Sequence, residues 1–208
     1  MELNVKDRVI TLKVVYYGTA LGGKTTNLQT IHALTDKERR IELVSIATRD
    51  DRTLFFDLLP VGLGRYFGYE LKMKLFTVPG QVQFDLTRRK VLAGADAVVF
   101  VADSQRSQAE ANALSIRNLR INLIQNKLDP KTLPLALQYN KRDLEDLISI
   151  EEMDAALNDR GVPSFPAIAI QGPGVMECLA SVVSAAVEGL ASGQKLASQT
   201  EVKRAVTQ

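Results

Sequence analysis

The stretch Gly18-Thr19-Ala20-Leu21-Gly22-Gly23-Lys24-Thr25 fits the spacing G-x-x-x-x-G-K-[ST], and its flanks decide the fold. Upstream, Ile10-Thr11-Leu12-Lys13-Val14-Val15-Tyr16-Tyr17 is a β-branched and aromatic run that reads as a strand stopped at Gly18. Downstream, residues 23 to 34 hold good helix formers. A strand that empties through a glycine-bearing turn into a helix points backbone N–H groups and the positive end of the helix dipole at an anion. In such a P-loop, Gly18, Gly22 and Gly23 let the chain wrap a polyphosphate to which Ala20 and Leu21 offer backbone. Lys24 reaches the β and γ oxygens, and Thr25 can ligate Mg²⁺ with Thr26 beside it. A chance match in a chain this long is on the order of 1%.

Working outward, residues 35 to 52 are polar without a sustained period and read as a long exposed loop. Residues 53 to 60 and 69 to 77 read as an antiparallel pair of strands separated by Gly62, Gly64 and Gly68. Leu71-Lys72-Met73-Lys74-Leu75 alternates, which implies one wet face or an edge position. Ala97-Val98-Val99-Phe100-Val101-Ala102 is continuously apolar and reads as a central strand covered on both sides. Ala113, Ile116, Leu119 and Leu123 recur at helical steps. Residues 133 to 139 form another strand, 151 to 158 another helix, and 165 to 170 a last strand. Val175, Leu179, Val182, Val183, Ala186 and Leu190 then mark a closing helix.

This alternation predicts an α/β P-loop NTPase fold: a mostly parallel sheet with one antiparallel edge pair and helices on both faces, its site on the β-to-α loops. The expected organisation is one domain over residues 1 to 192 and a flexible tail over 193 to 208, where apolar periodicity is lost.

Composition excludes several classes. A formal charge of +2 from 26 basic and 24 acidic side chains leaves no broad positive field for nucleic acid. A single cysteine, Cys178, excludes an internal disulfide and reads as core filler; a single histidine, His32, reads as structural. Met1-Glu2-Leu3-Asn4 lacks a signal-peptide pattern and the myristoylation glycine. Ala205 stands where a prenylated cysteine would, and no apolar run spans a bilayer. The expectation is a cytoplasmic protein without a direct membrane anchor, recruited to membrane or cell poles by partners if at all.

A second motif, Asn140-Lys141-Arg142-Asp143, follows the strand ending near Tyr139 and falls on the rim of the P-loop. The Asp143 carboxylate can accept from both the ring N–H and the exocyclic amine of guanine, which adenine does not present together. With adenine the acceptor stays unpaired, a penalty of about 1 to 3 kcal/mol or more. Asn140 can tie this loop to the P-loop, and the Lys141 stem can cover one face of the base. Between the two motifs, Thr77-Val78-Pro79-Gly80-Gln81 offers the Gly80 amide to a γ-phosphate and the Gln81 side chain to an attacking water.

Together with Tyr16-Tyr17-Gly18, Arg52-Thr53-Leu54-Phe55-Phe56-Asp57 and Val101-Ala102-Asp103-Ser104, these motifs closely resemble those of the MglA-like bacterial branch of the Ras-like small GTPases, a gliding-motility and cell-polarity family. The resemblance covers roughly residues 8 to 190. It implies a Ras-like fold, binding of GTP and GDP with Mg²⁺, slow GTP hydrolysis and a roadblock/LC7-type activating partner beside effector proteins. It also implies that Arg52 is an arginine finger supplied in cis, that Thr53 is the threonine closing on Mg²⁺ and γ-phosphate, and that the backbone N–H of Ala169 reaches the guanine oxygen.

The chain departs from that pattern at two places. Thr77 stands where Ras-like proteins usually carry the Asp that holds the Mg²⁺ shell; Asp57, directly or through water, is the candidate replacement. Ala20 stands where glycine is usual, and its methyl points toward where Gln81 and Arg52 must gather. The catalytic set is therefore Gln81, Arg52 and Lys24, and the metal set Thr25, Thr53 and Asp57. The alternative to a hydrolysing switch is a nucleotide-loaded binding scaffold with negligible turnover. An ATP-dependent kinase or ATPase would leave residues 140 to 143 unexplained.

Overall fold

The computed structural model describes residues 2–35, 44–46, 56–66 and 68–191, apart from the side chains of 44–46, 56–59, 66, 82, 190 and 191. Its strands are β1 (Glu2–Asn4), β2 (Val9–Gly18), β3 (Val44–Ile46), β4 (Phe56–Tyr66), β5 (Tyr69–Thr77), β6 (Ala97–Asp103), β7 (Leu135–Asn140) and β8 (Ser164–Pro166). The helices are α1 (Lys24–Leu34), α2 (Asp85–Leu92), α3 (Ala109–Gln125), α4 (Ile150–Leu157) and α5 (Val175–Ala191). The sheet runs β3-β4-β5-β2-β6-β7-β8. β2 is parallel to β5 and β6, and the parallel order continues through β7 to β8.

The strand leading into the P-loop shows why both faces must be covered. Every residue of β2 from Val14 to Gly18 is buried. Val14 and Tyr16 pack with α1 and α5 through Leu28, Ile31, Cys178, Leu179 and Val182. Val15 and Tyr17, pointing the other way at period two, pack with Val91, Leu92, Ile116, Leu119, Leu123, Met153 and Leu157 of α2, α3 and α4. β6 divides identically, Val99 and Val101 to the first layer and Val98, Phe100 and Ala102 to the second, which is the physical content of its unbroken apolar run. Cys178 is 1% exposed in the first layer, as expected of core filler, and burial pushes its thiol up to about 12.

Three expectations are revised. The segment taken wholly as loop, 35 to 52, contains β3, which pairs antiparallel with β4; Val44-Ser45-Ile46 is too short to show a period. Gly62 and Gly64 do not separate two strands. β4 runs through them, and the register shifts between them in a bulge where Gly64 takes φ +95°. Of the two alternatives for Leu71 to Leu75, the wet face holds: β5 alternates in burial and lies inside the sheet between β4 and β2. The last strand stops at Pro166 rather than reaching 170, because the chain then closes on itself: Ile168 N–H donates to the Pro173 carbonyl and Gly172 N–H to that of Ile168. β1, antiparallel to the start of β2, and α2 were not anticipated. The expected antiparallel pair is β4 with β5.

α4 carries a capping box legible as Ser149-x-x-Glu152: Glu152 N–H donates to Ser149 Oγ and Ser149 N–H to the Glu152 carboxylate, both at 3.1 Å. No helix among the described residues is long and apolar enough to cross a membrane.

Phe100 is 0% exposed at the centre of β6. Phe100→Ala should cost about 3–5 kcal/mol, read as a lowered denaturation midpoint with unchanged slope in nucleotide-free protein.

Candidate functional site

The strand order places the carboxyl ends of β2, β5, β6, β7 and β8 along one rim, where a parallel sheet presents its loops to a ligand. A cleft of about 520 Å³ opens there, lined by Ala20, Leu21, Gly23, Lys24, Thr25 and Thr26 on one side and by Thr77 to Gln81 with Phe84 on the other.

The P-loop glycines are fixed by what surrounds them. A Cβ on Gly18 would lie 2.1 Å from the Val101 carbonyl oxygen, because β6 runs directly alongside. A Cβ on Gly23, at φ +102°, would lie 2.2 Å from Asn140 Nδ2. Leu21 adopts φ +59°, a left-handed conformation that costs a branched side chain about 1–2 kcal/mol, and it is 90% exposed. Gly22 supplies a carbonyl to Asn140.

Lys24 sits at the base of this loop, 7% exposed, its ammonium donating to the carbonyls of Gly18 at 3.1 Å and Thr19 at 2.5 Å. No acidic side chain among the described residues pairs with it. Burial, with the nearby Arg88 adding repulsion, lowers its pKa from 10.5 to about 8. A buried cation held only by neutral carbonyls is a site for an anion, and a phosphate would restore the missing counter-charge.

At the end of β7, Asn140 is 2% exposed and makes two bonds: its Nδ2 donates to the Gly22 carbonyl at 2.8 Å, and the Ala169 N–H donates to its Oδ1 at 2.9 Å. The Ala169 carbonyl in turn accepts from Thr30 Oγ1 of α1 at 2.6 Å. The Ala169 amide expected to meet a base oxygen is thus engaged by Asn140. Asp143 is exposed and bonds to no described residue, leaving both carboxylate oxygens open. Lys141, at φ +65°, reaches back to pair with buried Asp103 at 2.7 Å, which stretches its stem between the loop after β7 and the end of β6.

On the opposite wall, Gly80 packs against the P-loop so closely that a Cβ would fall 2.2 Å from Ala20 N. Gln81 is exposed and its Oε1 accepts from Gln83 Nε2 at 3.1 Å. Thr77 is 2% exposed beneath the cleft. Thr25 is exposed in the cleft wall with its hydroxyl unbonded to any described residue. No cluster of three or more His, Cys, Asp or Glu side chains capable of holding a metal occurs among the described residues.

The chain is 47% identical over 191 residues to the mutual gliding-motility protein MglA of Myxococcus xanthus (strain DK1622), an alignment covering 92% of this chain and 98% of that protein. This chain belongs to the MglA family of Ras-like small GTPases. No family model matches it.

Of the residues singled out from the sequence, those of the P-loop, Lys24, Thr25, Thr26, Gly80 and Gln81 line or frame one cleft, and Asn140 joins the P-loop to Ala169 in the loop after β8. Arg52 and Thr53 lie outside the described residues. For Asp57 only the backbone is described, within β4 opposite Ser45. Sequence reasoning missed Phe84 in the cleft wall and Arg88 behind it. Arg88 carries only one sequence signal, an acid three residues before it at Asp85, which is common on any helix surface.

The Lys24 pKa gives a prediction with a definite sign. A lysine lowered on folding destabilises the fold fully below about 8, and the penalty fades as pH rises toward 10.5, where the unfolded chain also loses its proton. Lys24→Met in nucleotide-free protein should therefore raise stability at pH 7 by roughly 1–3 kcal/mol, the lost carbonyl bonds offsetting part of the gain. Thermal unfolding at pH 7 and pH 10 checks this: the advantage should shrink at pH 10, while the stabilisation by added nucleotide should vanish.

Proposed function

We propose that this chain is a GTP-dependent molecular switch that binds GTP and GDP with Mg²⁺ and hydrolyses GTP slowly, within a single domain over residues 1 to 192. The observation that carries the reading is the Asn140 bridge, which fixes a phosphate-wrapping loop and a base-selecting loop at one separation, as a purine nucleotide requires. Membership of the family supports turnover over a nucleotide-loaded scaffold. The role named for its relative, gliding motility, supports a place in bacterial cell polarity or motility, through effectors and a roadblock/LC7-type activating partner, in the cytoplasm or recruited to the poles.

In this reading the base loop selects guanine through Asp143, with the Lys141 stem on one face and the Ala169 amide shared between Asn140 and the base oxygen. The P-loop amides from Ala20 to Thr26 hold the α and β phosphates. Water attacks the γ-phosphorus in line, the bond to the β–γ bridging oxygen breaks, and GDP and inorganic phosphate result. Gln81 orients the water. Lys24 and the Gly80 amide stabilise charge on the γ oxygens, joined by Arg52. Mg²⁺, when bound, neutralises charge on the β and γ oxygens. The unbonded Thr25 hydroxyl suits this hard cation, with Thr53 and Asp57 completing the set. The strand register supports Asp57 as the substitute for the usual aspartate, since one step past the Leu58–Phe76 pair Asp57 comes opposite Thr77. Closure of the segment leading to Thr53 and of the segment after Gly80 would follow γ-phosphate contacts, and hydrolysis would release both.

Extraction of the co-purifying nucleotide should yield guanine nucleotides, and adenine nucleotides would sink the reading. Asp143→Ala should lower GTP affinity about tenfold or more while leaving the weak ATP affinity unchanged, so that preference collapses in a competition assay. Ala20→Gly, which removes the methyl beside Gly80, should raise the single-turnover hydrolysis rate about tenfold, ~1.4 kcal/mol of barrier. An unchanged or slower rate would show that the methyl does not obstruct the transition state.

A further inference from the structure

Arg88 lies on α2, outside every motif, and is 4% exposed. Its Nη1 donates to the Gln81 carbonyl at 2.5 Å and, at the long limit of 3.5 Å, to that of Pro79. These two carbonyls bracket Gly80. A trans peptide sets its C=O and N–H on opposite sides, so turning the Pro79 carbonyl toward Arg88 aims the Gly80 N–H away from α2. Holding the Gln81 carbonyl fixes the backbone from which the Gln81 side chain springs, at the start of a short turn closed by Phe84 N–H on the same oxygen.

The guanidinium is itself held from three sides. Nη2 pairs with Asp85 Oδ1 at 3.1 Å, and Nε donates to Asn118 Oδ1 of α3 at 3.0 Å. Asn118 Nδ2 and Asn122 Nδ2 both donate to that same Asp85 oxygen, at 2.8 and 2.9 Å. The hydroxyl of Tyr17, the last residue before the P-loop glycine, donates to Asn118 Oδ1 and accepts from Asn122 Nδ2. Burial alone would raise the Asp85 carboxyl, but the hydrogen bonds from Asn122, Asn118 and Arg88 outweigh it and hold it below the usual carboxylate range. Such a network, anchored in β2 and α3, restricts the arginine to one geometry, whereas an arginine serving only as helix-surface charge would be solvated.

We propose that Arg88 is a positioning residue for hydrolysis: it grips the carbonyls on either side of Gly80, so that the Gly80 amide meets the γ-phosphate and Gln81 the attacking water, and ties this segment to α3 through Asn118. The assignment rests on the GTPase reading above. It also makes the site sensitive to nucleotide state, since the Gly80 amide touches only the phosphate that hydrolysis removes.

The test compares full-length wild type, Arg88→Met, Arg88→Lys and Asn118→Ala for GDP affinity, affinity for a non-hydrolysable GTP analogue, and single-turnover hydrolysis. Arg88→Met should hydrolyse about ten- to hundredfold more slowly and lose preference for the triphosphate analogue, with GDP affinity changed less than about threefold. Arg88→Lys, which can hold one carbonyl, should fall between it and wild type, as should Asn118→Ala. Wild-type hydrolysis in Arg88→Met, or equal losses of GDP and analogue affinity as from general loosening, would overturn the proposal. Should Arg88→Met fail to fold, wild-type rates in both remaining variants would overturn it. Failure of wild type itself to bind guanine nucleotides would instead overturn the GTPase reading.

Discussion

The buried side chain of Asn140 is the constraint from which the rest of the site follows. Its amide donates to the Gly22 carbonyl and its oxygen accepts from the Ala169 N–H, so three loops that leave β2, β7 and β8 are held together by one planar group. Because Asn140 is almost wholly out of water, both bonds must be made or the fold bears the cost of an orphaned polar group, about 1–3 kcal/mol each. That cost fixes the spacing between the two loops more firmly than any surface contact could. It also dictates Gly23, since the Asn140 nitrogen occupies the space a Cβ would need.

Around that frame the charges are arranged against the usual preference of a protein interior. Lys24 is buried with carbonyls for company, and Arg88 stands close enough to depress it further. Arg88 is balanced by Asp85, and Asp103 on the next strand by Lys141, but Lys24 has no acid among the described residues. The ligand-free fold therefore stores an electrostatic penalty at the point where a polyphosphate would relieve it, so that binding energy and folding energy are drawn from one interaction.

The departures from the Ras-like pattern take on physical meaning only in this setting. Ala20 is an unremarkable residue in a list of letters, yet its backbone is what Gly80 packs against. Thr77 is an isolated loss of a carboxylate until the β4–β5 register, which pairs Leu58 with Phe76, sets the residues on either side of it, Asp57 and Thr77, at the same end of the two strands. In both cases the distance along the chain, about 20 residues or more, hides a neighbour that strand pairing supplies.

Local chemistry was enough for the sequence to determine the P-loop pattern, strand β2, the two covered faces of β6, the helical stripe of α3 and the position of residues 140 to 143 on the rim. Glycine spacing, period-two and period-3.6 patterns are set by residues within one turn or one strand of each other. It did not determine that β4 passes through its glycines by a bulge or that Val44 to Ile46 would be recruited as a strand, because each depends on pairing with another strand; nor that β8 ends at Pro166, where the irregular closure of Ile168 on Pro173 has no periodic signature. Above all, only the tertiary structure decided that Arg88 would reach the carbonyls around Gly80 with Asn118, Asn122 and Tyr17 behind it. Those groups come from β2, α2 and α3, and a hydrogen bond between backbone and side chain leaves no periodic trace in a sequence.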